Sequence, residues 1–201
     1  MKIGIADYQA SNLGSLSSAL GEIKVDHFIS SNSKDLEMAD LILLPGVGSF
    51  AAGIQNLKET GLAETICEHA QKGKPVLGIC LGMHLLASLG FEGGSTAGLN
   101  LIPGEVLRLN PSIDYRIPHM GWDIVHYKEH TSFVYFAHSY YFQPSSNSEV
   151  EIRSEYELGG QRYPAHIQLG NVAGIQFHPE KSGPNGLNIL VNSIDTLAGN
   201  H

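Results

Sequence analysis

Short apolar runs alternate with amphipathic segments through the first half of the chain, and this alternation restricts the fold more than any other feature of the sequence. Four apolar runs predict buried strands, at Met1–Ala6, Val25–Ile29, Leu41–Leu44 and Pro75–Ile79. Three segments have helical spacing, at Leu13–Leu20, Asn56–Lys72 and Leu81–Leu89. Strands that alternate with helices pair in parallel, since each helix returns the chain to the same end of the sheet. The pattern therefore predicts an open, doubly wound, mostly parallel α/β sheet.

The second half of the chain has a different pattern, in which short strands are separated by turn residues. Seven runs predict strands, at Gly104–Leu109, Ile124–His126, Phe133–Ala137, Tyr140–Gln143, Val150–Arg153, Ala165–Leu169 and Val172–Gln176. They indicate an antiparallel C-terminal extension of the parallel sheet, and a last helix is predicted over Leu187–Leu197. A length of 201 residues without a linker or a repeat favours one domain over residues 1–201.

Charge and cysteine content narrow the classes of function and the cellular compartment. The formal net charge is −8, which argues against nucleic acid or a membrane surface as the partner. No apolar stretch reaches the length of a membrane span, and Asp7 introduces a charge too early for a signal peptide. The sequence has two cysteines, Cys67 and Cys80. We therefore expect no disulfide framework and predict a reducing, cytoplasmic setting.

The clearest chemical signal is the segment Gly78-Ile79-Cys80-Leu81-Gly82, which follows an apolar strand and opens a helix. A nucleophile at such a junction projects above the sheet, and the two glycines leave room for the tight turn. The N–H groups at the start of the helix favour a thiolate, and the Leu81 amide is placed to donate to an oxyanion. By itself, Cys80 fits a buried packing residue equally well. Cys67, within a helical segment, is predicted to be a packing or surface residue.

A second signal lies near the other end of the chain, in Phe177-His178-Pro179-Glu180. An apolar strand ends at His178, so the imidazole projects at the carboxyl end of the sheet, where open α/β folds place their sites. His178 can take the proton of the Cys80 thiol and return it to a leaving group. Glu180 points the same way in an extended chain and can orient the ring. We predict a triad of Cys80, His178 and Glu180.

Taken together, Gly78–Met83 and Gly174–Lys181 resemble the motifs of the class I (triad-type) glutamine amidotransferases, a family with a flavodoxin-like core. Within that family, four further stretches resemble the glutaminase subunits of histidine biosynthesis: Asp7–Leu13, Leu44–Phe50, Pro118–Trp122 and Phe136–Phe142. The resemblance covers essentially the whole chain. It implies that Cys80 attacks the side-chain amide of L-glutamine, that ammonia leaves from a γ-glutamyl thioester, and that water activated by His178 releases glutamate.

The resemblance also implies which residues surround the substrate. The oxyanion donors would be the backbone amides of Leu81 and of the glycine-rich loop at Val47 and Gly48. The amino-acid end of glutamine would be held by Gly48, Ser139 and Tyr140. No metal and no cofactor is implied, and the ten histidines of the chain lack paired ligand spacing.

By the same resemblance, the partner is a cyclase subunit with a (β/α)8 barrel, which forms a heterodimer with this chain and receives the ammonia directly. Free ammonia is mostly ammonium at neutral pH and then is not nucleophilic, so a sealed interface is expected. The predicted contact residues, expected to be exposed, are Asn12, Pro118, His119, Met120, Trp122, His138 and Lys181. Trp122, the single tryptophan, is expected to lie in a glycine-flanked loop and to anchor the interface.

Three positions depart from the family's usual pattern and leave the pathway open. His84 replaces a glutamine that holds the substrate, Gln9-Ala10-Ser11 replaces a stretch with two glycines, and Asp123 replaces an asparagine. At its position in the substrate pocket, His84 can still donate one hydrogen bond. The changes fit a histidine-pathway glutaminase or a paralogue that supplies ammonia for an amidine on a surface-polysaccharide sugar. An inactive subunit that only supports a cyclase and a stand-alone cysteine hydrolase are the remaining alternatives.

Overall fold

The computed structural model describes residues 1–9, 13–111, 113, 115–127 and 130–199. The strands in this part of the chain are β1 (Ile3–Ala6), β2 (His27–Ser30), β3 (Leu41–Leu44), β4 (Val76–Ile79), β5 (Leu89–Gly90), β6 (Thr96–Ala97), β7 (Gly104–Arg108), β8 (His119–Tyr127), β9 (His130–His138), β10 (Tyr140–Pro144), β11 (Glu151–Leu158), β12 (Gln161–Leu169) and β13 (Val172–Ile175). The helices are α1 (Leu13–Glu22), α2 (Ser33–Glu37), α3 (Phe50–Glu59), α4 (Leu62–Gln71), α5 (Leu81–Leu85) and α6 (Gly183–Leu197), and a 3-10 turn covers Pro179–Lys181.

Nine strands form one sheet that is parallel in its first half and antiparallel in its second. Their order is β2–β1–β3–β4–β13–β12–β11–β8–β9. The pairs from β2 to β13 are parallel, and those from β13 to β9 are antiparallel. The predicted fold, a doubly wound parallel sheet with an antiparallel extension, is confirmed. Because β4 and β13 are neighbours, the residues that follow these two strands meet at one edge of the sheet.

The central strands are buried on both faces. β1, β3, β4 and β13 have no exposed residue, as is typical of parallel strands covered by helices on both sides. Alternate residues of β3 enter different core clusters: Leu41 and Leu43 pack with α1 and α6, whereas Ile42 and Leu44 pack with α3, α4 and α5. A smaller sheet, ordered β10–β7–β5–β6, adjoins the second of these layers.

Two of the predicted helices are shorter than the hydrophobic spacing indicates. The chain over Asn56–Lys72 forms two helices, α3 and α4, rather than one, because Gly61 interrupts it with a φ of 71°. The predicted helix Leu81–Leu89 ends at Leu85, and Leu89 already pairs in β5. The short helix α2 was not predicted from the sequence.

The hairpin of β8 and β9 is longer than predicted. The strand expected over Ile124–His126 extends from His119 to Tyr127, and nine residue pairs join it to β9. This extension places Trp122 in a strand rather than in the predicted loop. Within the described residues, no helix is both long and apolar enough to span a membrane.

Candidate active site

Cys80 lies at the junction of β4 and α5, in a backbone conformation that few residues other than glycine adopt. Its φ is 53° and its ψ is −111°, which costs on the order of 1–3 kcal/mol and persists only where the surroundings enforce it. Two hydrogen bonds enforce it here. The Cys80 N–H donates to the Ile175 carbonyl (2.7 Å), and the Cys80 carbonyl accepts from the His84 N–H (3.3 Å). The thiol is thus held at the carboxyl edge of the sheet.

Gly78 and Gly82 are required on either side of Cys80 by close packing. A Cβ at Gly78 would lie 2.6 Å from backbone atoms of Gly82, and a Cβ at Gly82 would lie 1.7 Å from the Leu44 carbonyl oxygen. Because these neighbours are backbone atoms, no side-chain movement can relieve the contact. The two glycines therefore let the turn that carries the thiol press directly against the sheet.

His178 and Glu180 form a buried pair beside this thiol. His178 Nδ1 lies 2.8 Å from Glu180 Oε1, and the two side chains are 4% and 8% exposed. The carboxylate accepts a hydrogen bond from the Nδ1–H of His178, which leaves Nε2 to interact with the thiol. Burial alone would lower the pKa of His178, but Cys80 and Glu180 reverse this effect and raise it to about 10. An imidazolium beside Cys80 favours the thiolate, which is the nucleophilic form.

A small pocket of about 200 Å³ opens at Cys80. The predicted oxyanion and substrate positions all line it with Cys80: Val47, Gly48, Leu81, His84, Ser139 and Tyr140. Sequence reasoning missed Glu92, the one carboxylate among the described residues of the pocket wall. Glu92 Oε2 accepts a hydrogen bond from the Phe50 N–H at the start of α3 (2.7 Å). No periodicity or motif marks Glu92, because it lies in an irregular turn between β5 and β6.

Two of the three predicted oxyanion donors, the backbone amides of Leu81 and Val47, do not converge in this conformation. The Leu81 N–H donates to the Gly46 carbonyl, at 3.4 Å. The peptide between Gly46 and Val47 is trans, so its N–H points opposite to its carbonyl and therefore away from Leu81. One donor is thus occupied and the other is turned outward. Reversing the Gly46–Val47 peptide would remove the Gly46 carbonyl from the Leu81 N–H and would turn the Val47 N–H toward it.

His84 is paired with a residue from the far end of the chain. Its Nε2 lies 2.7 Å from Gln176 Oε1, and Gln176, which directly follows β13, is completely buried. Burial lowers the pKa of His84 to about 4, although the hydrogen bond with Gln176 opposes this effect. His84 is therefore a neutral ring at physiological pH.

Four of the predicted contact residues lie at or near the surface around the pocket. Pro118 and Met120 line the pocket mouth, and Met120 and Trp122 are 64% and 50% exposed. Trp122 stacks on Phe133 of β9, with ring centroids 5.5 Å apart. Lys181 is exposed at the end of the 3-10 turn.

Two further predicted contact residues, His119 and His138, differ from expectation. His119 and His138 are buried, at 9% and 6% exposed, so the expectation that they are exposed is wrong. The reason is that alternate residues of the hairpin face the core, where His119 stacks on Tyr156 at 5.2 Å. His119 also lies 3.2 Å from His138 and 3.0 Å from Asp123, and His138 lines the pocket. Asn12 lies outside the described residues.

A larger cleft, of about 540 Å³, has none of its described lining residues in common with this pocket. It lies between α6 and the antiparallel strands and is lined by His166, Arg153 and Ser154 among others. It contains no cysteine, so the nucleophile and its base assign the chemistry to the smaller pocket. No group of three or more His, Cys, Asp or Glu side chains in the described ranges is arranged to hold a metal ion.

Buried neutral histidines predict that the fold is sensitive to acid. Burial lowers the pKa of His69 and His84 to about 4 and that of His166 to about 3. Below about pH 6.5, the unfolded chain binds protons at these rings that the folded chain does not. The free energy of unfolding therefore decreases as the pH is lowered. One pKa unit corresponds to about 1.4 kcal/mol for each ring. The raised pKa of His178 does not act in this window, because it contributes pH dependence only above pH 6.5.

Urea unfolding at pH 7 and pH 5 measures this effect, and we expect a clearly lower midpoint at pH 5. His166→Phe should reduce the difference between the two midpoints, because it removes one of the rings that take up a proton on unfolding. Phenylalanine can replace this ring without breaking a hydrogen bond, since neither ring nitrogen of His166 has a partner among the described residues. His130→Phe is the control, since His130 is exposed. Equal midpoints at the two pH values would contradict the prediction.

Known proteins resemble the chain over almost all of its length. The model of the family "Glutamine amidotransferase class-I" matches residues 5–196. An imidazole glycerol phosphate synthase subunit HisH of Geobacillus sp. (strain WCH70) is 41% identical, over 98% of this chain and 98% of that protein. The subunit HisH of Carboxydothermus hydrogenoformans is 43% identical, over 96% of this chain and 98% of that protein.

Solved structures support the same assignment at the level of the fold. A crystal structure described as a glutamine amidotransferase superposes with a TM-score of 0.78 at 18% identity, over 98% of both chains. A chain of the PurLQS structure from Thermotoga maritima superposes with a TM-score of 0.75 at 19% identity, also over 98% of both chains. Sequence and fold therefore agree along the whole molecule, which belongs to the class-I glutamine amidotransferase family.

Proposed function

We propose that this chain is the glutaminase subunit of an imidazole glycerol phosphate synthase, which acts in histidine biosynthesis. The observation that carries the proposal is the Cys80 thiol at a strained junction beside the His178–Glu180 pair, whose Nδ1 and Oε1 atoms are 2.8 Å apart. The HisH names of the relatives that match 98% and 96% of the chain support the pathway.

The reaction follows from the charges at this site. The Cys80 thiolate attacks the side-chain amide carbon of glutamine, and negative charge develops on the amide oxygen. His178 gives its proton to the amide nitrogen, the carbon–nitrogen bond breaks, and ammonia leaves a γ-glutamyl thioester. Water then loses a proton to His178 and attacks the thioester carbonyl, which releases glutamate and restores the thiolate. Glu180 holds the ring in one orientation through both steps.

Glutamine would be held at its amino-acid end by several of the residues that line the pocket. Glu92 supplies a carboxylate for the α-ammonium group. The segment Ser139–Tyr140 and the backbone of Gly48 provide hydrogen-bonding groups for the α-carboxylate. With these contacts, the side-chain amide extends toward Cys80 and His84, which lie one helical turn apart.

Glu92→Gln is expected to raise KM for glutamine by about 10-fold to 100-fold, the range of one hydrogen bond between charged groups. The change in kcat should be smaller, because Glu92 acts on the end of the substrate that does not react. Steady-state glutamate release measures both constants. Glu105→Gln, on an exposed position of β7, is the matched control. A KM equal to that of the unmodified protein would exclude Glu92 from substrate binding.

The cyclase partner is proposed to dock on the exposed face of β8 and β9. Four large apolar side chains project from it, with exposed fractions of 64% for Met120, 50% for Trp122, 43% for Ile124 and 49% for Phe133. Apolar surface of this kind is typical of an interaction site. Met120 also lines the pocket, so a barrel seated here would cover its mouth. A covered mouth lets ammonia reach the cyclase without protonation in solvent, in a cytoplasmic heterodimer that forms imidazole glycerol phosphate and an aminoimidazole carboxamide ribotide.

Glutamate release from glutamine tests the proposal, with the purified chain alone and with a histidine-pathway cyclase plus its phosphoribulosyl-formimino substrate. A large rise in the presence of both supports the histidine pathway. Hydrolysis that no such cyclase stimulates would assign the chain to another ammonia acceptor, such as the amidine-forming enzyme of a surface-polysaccharide sugar. The positions that favour this second candidate are His84 and Gln9–Ser11.

A further inference from the structure

Three polar contacts in series connect a surface carboxylate of β8 to the wall of the pocket. Asp123, whose side chain is 35% exposed, places Oδ2 3.0 Å from His119 Nε2. His119 Nδ1 lies 3.2 Å from His138 Nε2. His138 Nδ1 lies 2.8 Å from the carbonyl oxygen of Tyr140, and both of these last residues line the pocket. Two buried imidazoles therefore stand between two oxygen atoms.

A count of protons shows that two neutral rings cannot satisfy this series. Both ends are acceptors, a carboxylate at Asp123 and a backbone carbonyl at Tyr140. Each of the three contacts needs one ring N–H, whereas two neutral imidazoles supply only two. With neutral rings, one contact brings two lone pairs together. A third proton, shared by His119 and His138, completes all three hydrogen bonds.

Asp123 is the cause of this shortage. Its Oδ1 accepts from the Ile124 N–H at 2.7 Å, so that Oδ2 faces His119. An asparagine held by the same N–H would present its Nδ2 instead and would donate to His119 Nε2. Each ring would then pass its own N–H toward Tyr140, and two neutral rings would satisfy the whole series. The carboxylate that replaces the usual asparagine thus makes the series depend on an additional proton.

We propose that Asp123 and His119 are positioning residues of the glutamine pocket, which hold the Tyr140 carbonyl through His138 when the two rings share a third proton. This role rests on the proposed glutaminase function, in which the segment Ser139–Tyr140 binds the α-carboxylate of glutamine. While the rings are neutral, Asp123 competes with the Tyr140 carbonyl for two protons, and hydrogen bonds to charged groups are the stronger ones. The segment is then held less firmly, so glutamine should bind more tightly as the pH falls and the third proton binds.

The groups that face the two rings determine the pH at which this proton binds. Burial lowers the pKa of His119, and the carboxylate of Asp123 opposes this effect. Tyr156 packs against both rings and stays neutral, because burial raises its pKa. Burial also places the pKa of His138 well below its usual value, and positive charge on neighbouring rings acts in the same direction, from His119, His84 and His178. The charge of Asp123 is therefore the one that favours the additional proton.

Asp123→Asn tests the proton count, because it removes the carboxylate and keeps the shape of the side chain. Nitrogen NMR of the free protein follows the ring nitrogens of His119 and His138 between about pH 8 and pH 5.5. We expect the third proton to bind about one pH unit or more higher with Asp123 than with asparagine, as for an opposite charge in contact. Glu157→Gln, on an exposed position of β11, is the matched control for the loss of a carboxylate and should leave the titration unchanged.

Glutamine binding provides a measurement that a merely structural role of Asp123 would not alter. Calorimetry in Cys80→Ala protein, which cannot turn glutamine over, gives the affinity at about pH 8 and pH 6. From the higher to the lower pH, the affinity should rise about tenfold more with Asp123 than with Asp123→Asn, the value of one hydrogen bond.

The outcomes separate this role from the proposed function. Equal ring midpoints in the two proteins, or the same pH dependence of glutamine affinity, overturn the role of Asp123 and leave the glutaminase intact if glutamine is still hydrolysed. Absence of glutamine binding and hydrolysis at every pH overturns the proposed function and, with it, the role in positioning the substrate. The ring titration needs no substrate, so it decides in either case whether the carboxylate brings in the third proton.

Discussion

Replacing Cys80 with alanine is expected to abolish glutamine hydrolysis, both in the isolated chain and in the presence of a cyclase. The predicted loss is on the order of 10⁵-fold or more, since removing the nucleophile of a triad removes nearly all of its rate enhancement. The buried His178–Glu180 pair remains but has no thiol to deprotonate. Glutamate release from glutamine measures the loss, and intact-protein mass spectrometry should no longer trap a γ-glutamyl adduct.

Cys67→Ala is the matched control for this experiment. Cys67 lies in α4, and its one polar contact among the described residues is a long one, 3.8 Å from Sγ to the Leu99 carbonyl oxygen. Its substitution should leave hydrolysis unchanged. Glutamine-dependent product formation that survives Cys80→Ala would contradict the prediction and would favour a subunit that only supports its partner.

The central part of the fold could be predicted because burial on both faces leaves a strong local pattern. Leu41–Leu44 is predicted and observed with the same bounds, and the strand before Cys80 differs by one residue, beginning at Val76 instead of Pro75. Gly61 was missed because Leu57, Leu62 and Ile66 keep an apolar face through the break between α3 and α4. The early end of α5 was missed for the same reason, since the apolar run continues through it into β5.

Some features of the candidate site could likewise be predicted from the local sequence, whereas others could not. Cys80, His178 and Glu180 are each marked by their neighbours along the chain, so local reasoning finds them. The hydrogen bond between His84 and Gln176 joins residues 92 positions apart, and that between Glu92 and Phe50 joins residues 42 positions apart. Contacts of this kind depend on which strands become neighbours, and nothing within a few residues of either partner indicates them.

The isolated chain is expected to hydrolyse glutamine slowly, because its oxyanion donors are not available together. The Leu81 N–H is occupied by the Gly46 carbonyl at 3.4 Å, and the Val47 N–H of the same peptide is turned away. Loss of one such donor typically lowers kcat by about 10²-fold to 10³-fold. Because reversal of this peptide makes both donors available, docking of a cyclase with its substrate bound should raise glutamate release by about that factor or more. Val47, at 46% exposed, is accessible to such a partner.

The Tyr8→Phe variant tests whether stimulation by a cyclase depends on reversal of the Gly46–Val47 peptide or is a general effect of docking. The buried Tyr8 hydroxyl donates to the Pro45 carbonyl at 2.6 Å and so fixes the backbone immediately before the peptide that must reverse. Without that bond, the reversed peptide becomes easier to reach, and hydrolysis by the isolated chain should rise while the stimulated rate changes little. Rapid hydrolysis by the unmodified isolated chain would contradict the blocked oxyanion site. A Tyr8→Phe variant with an unchanged basal rate would show instead that the barrier to reversal lies within Gly46–Gly48 and not in its anchor.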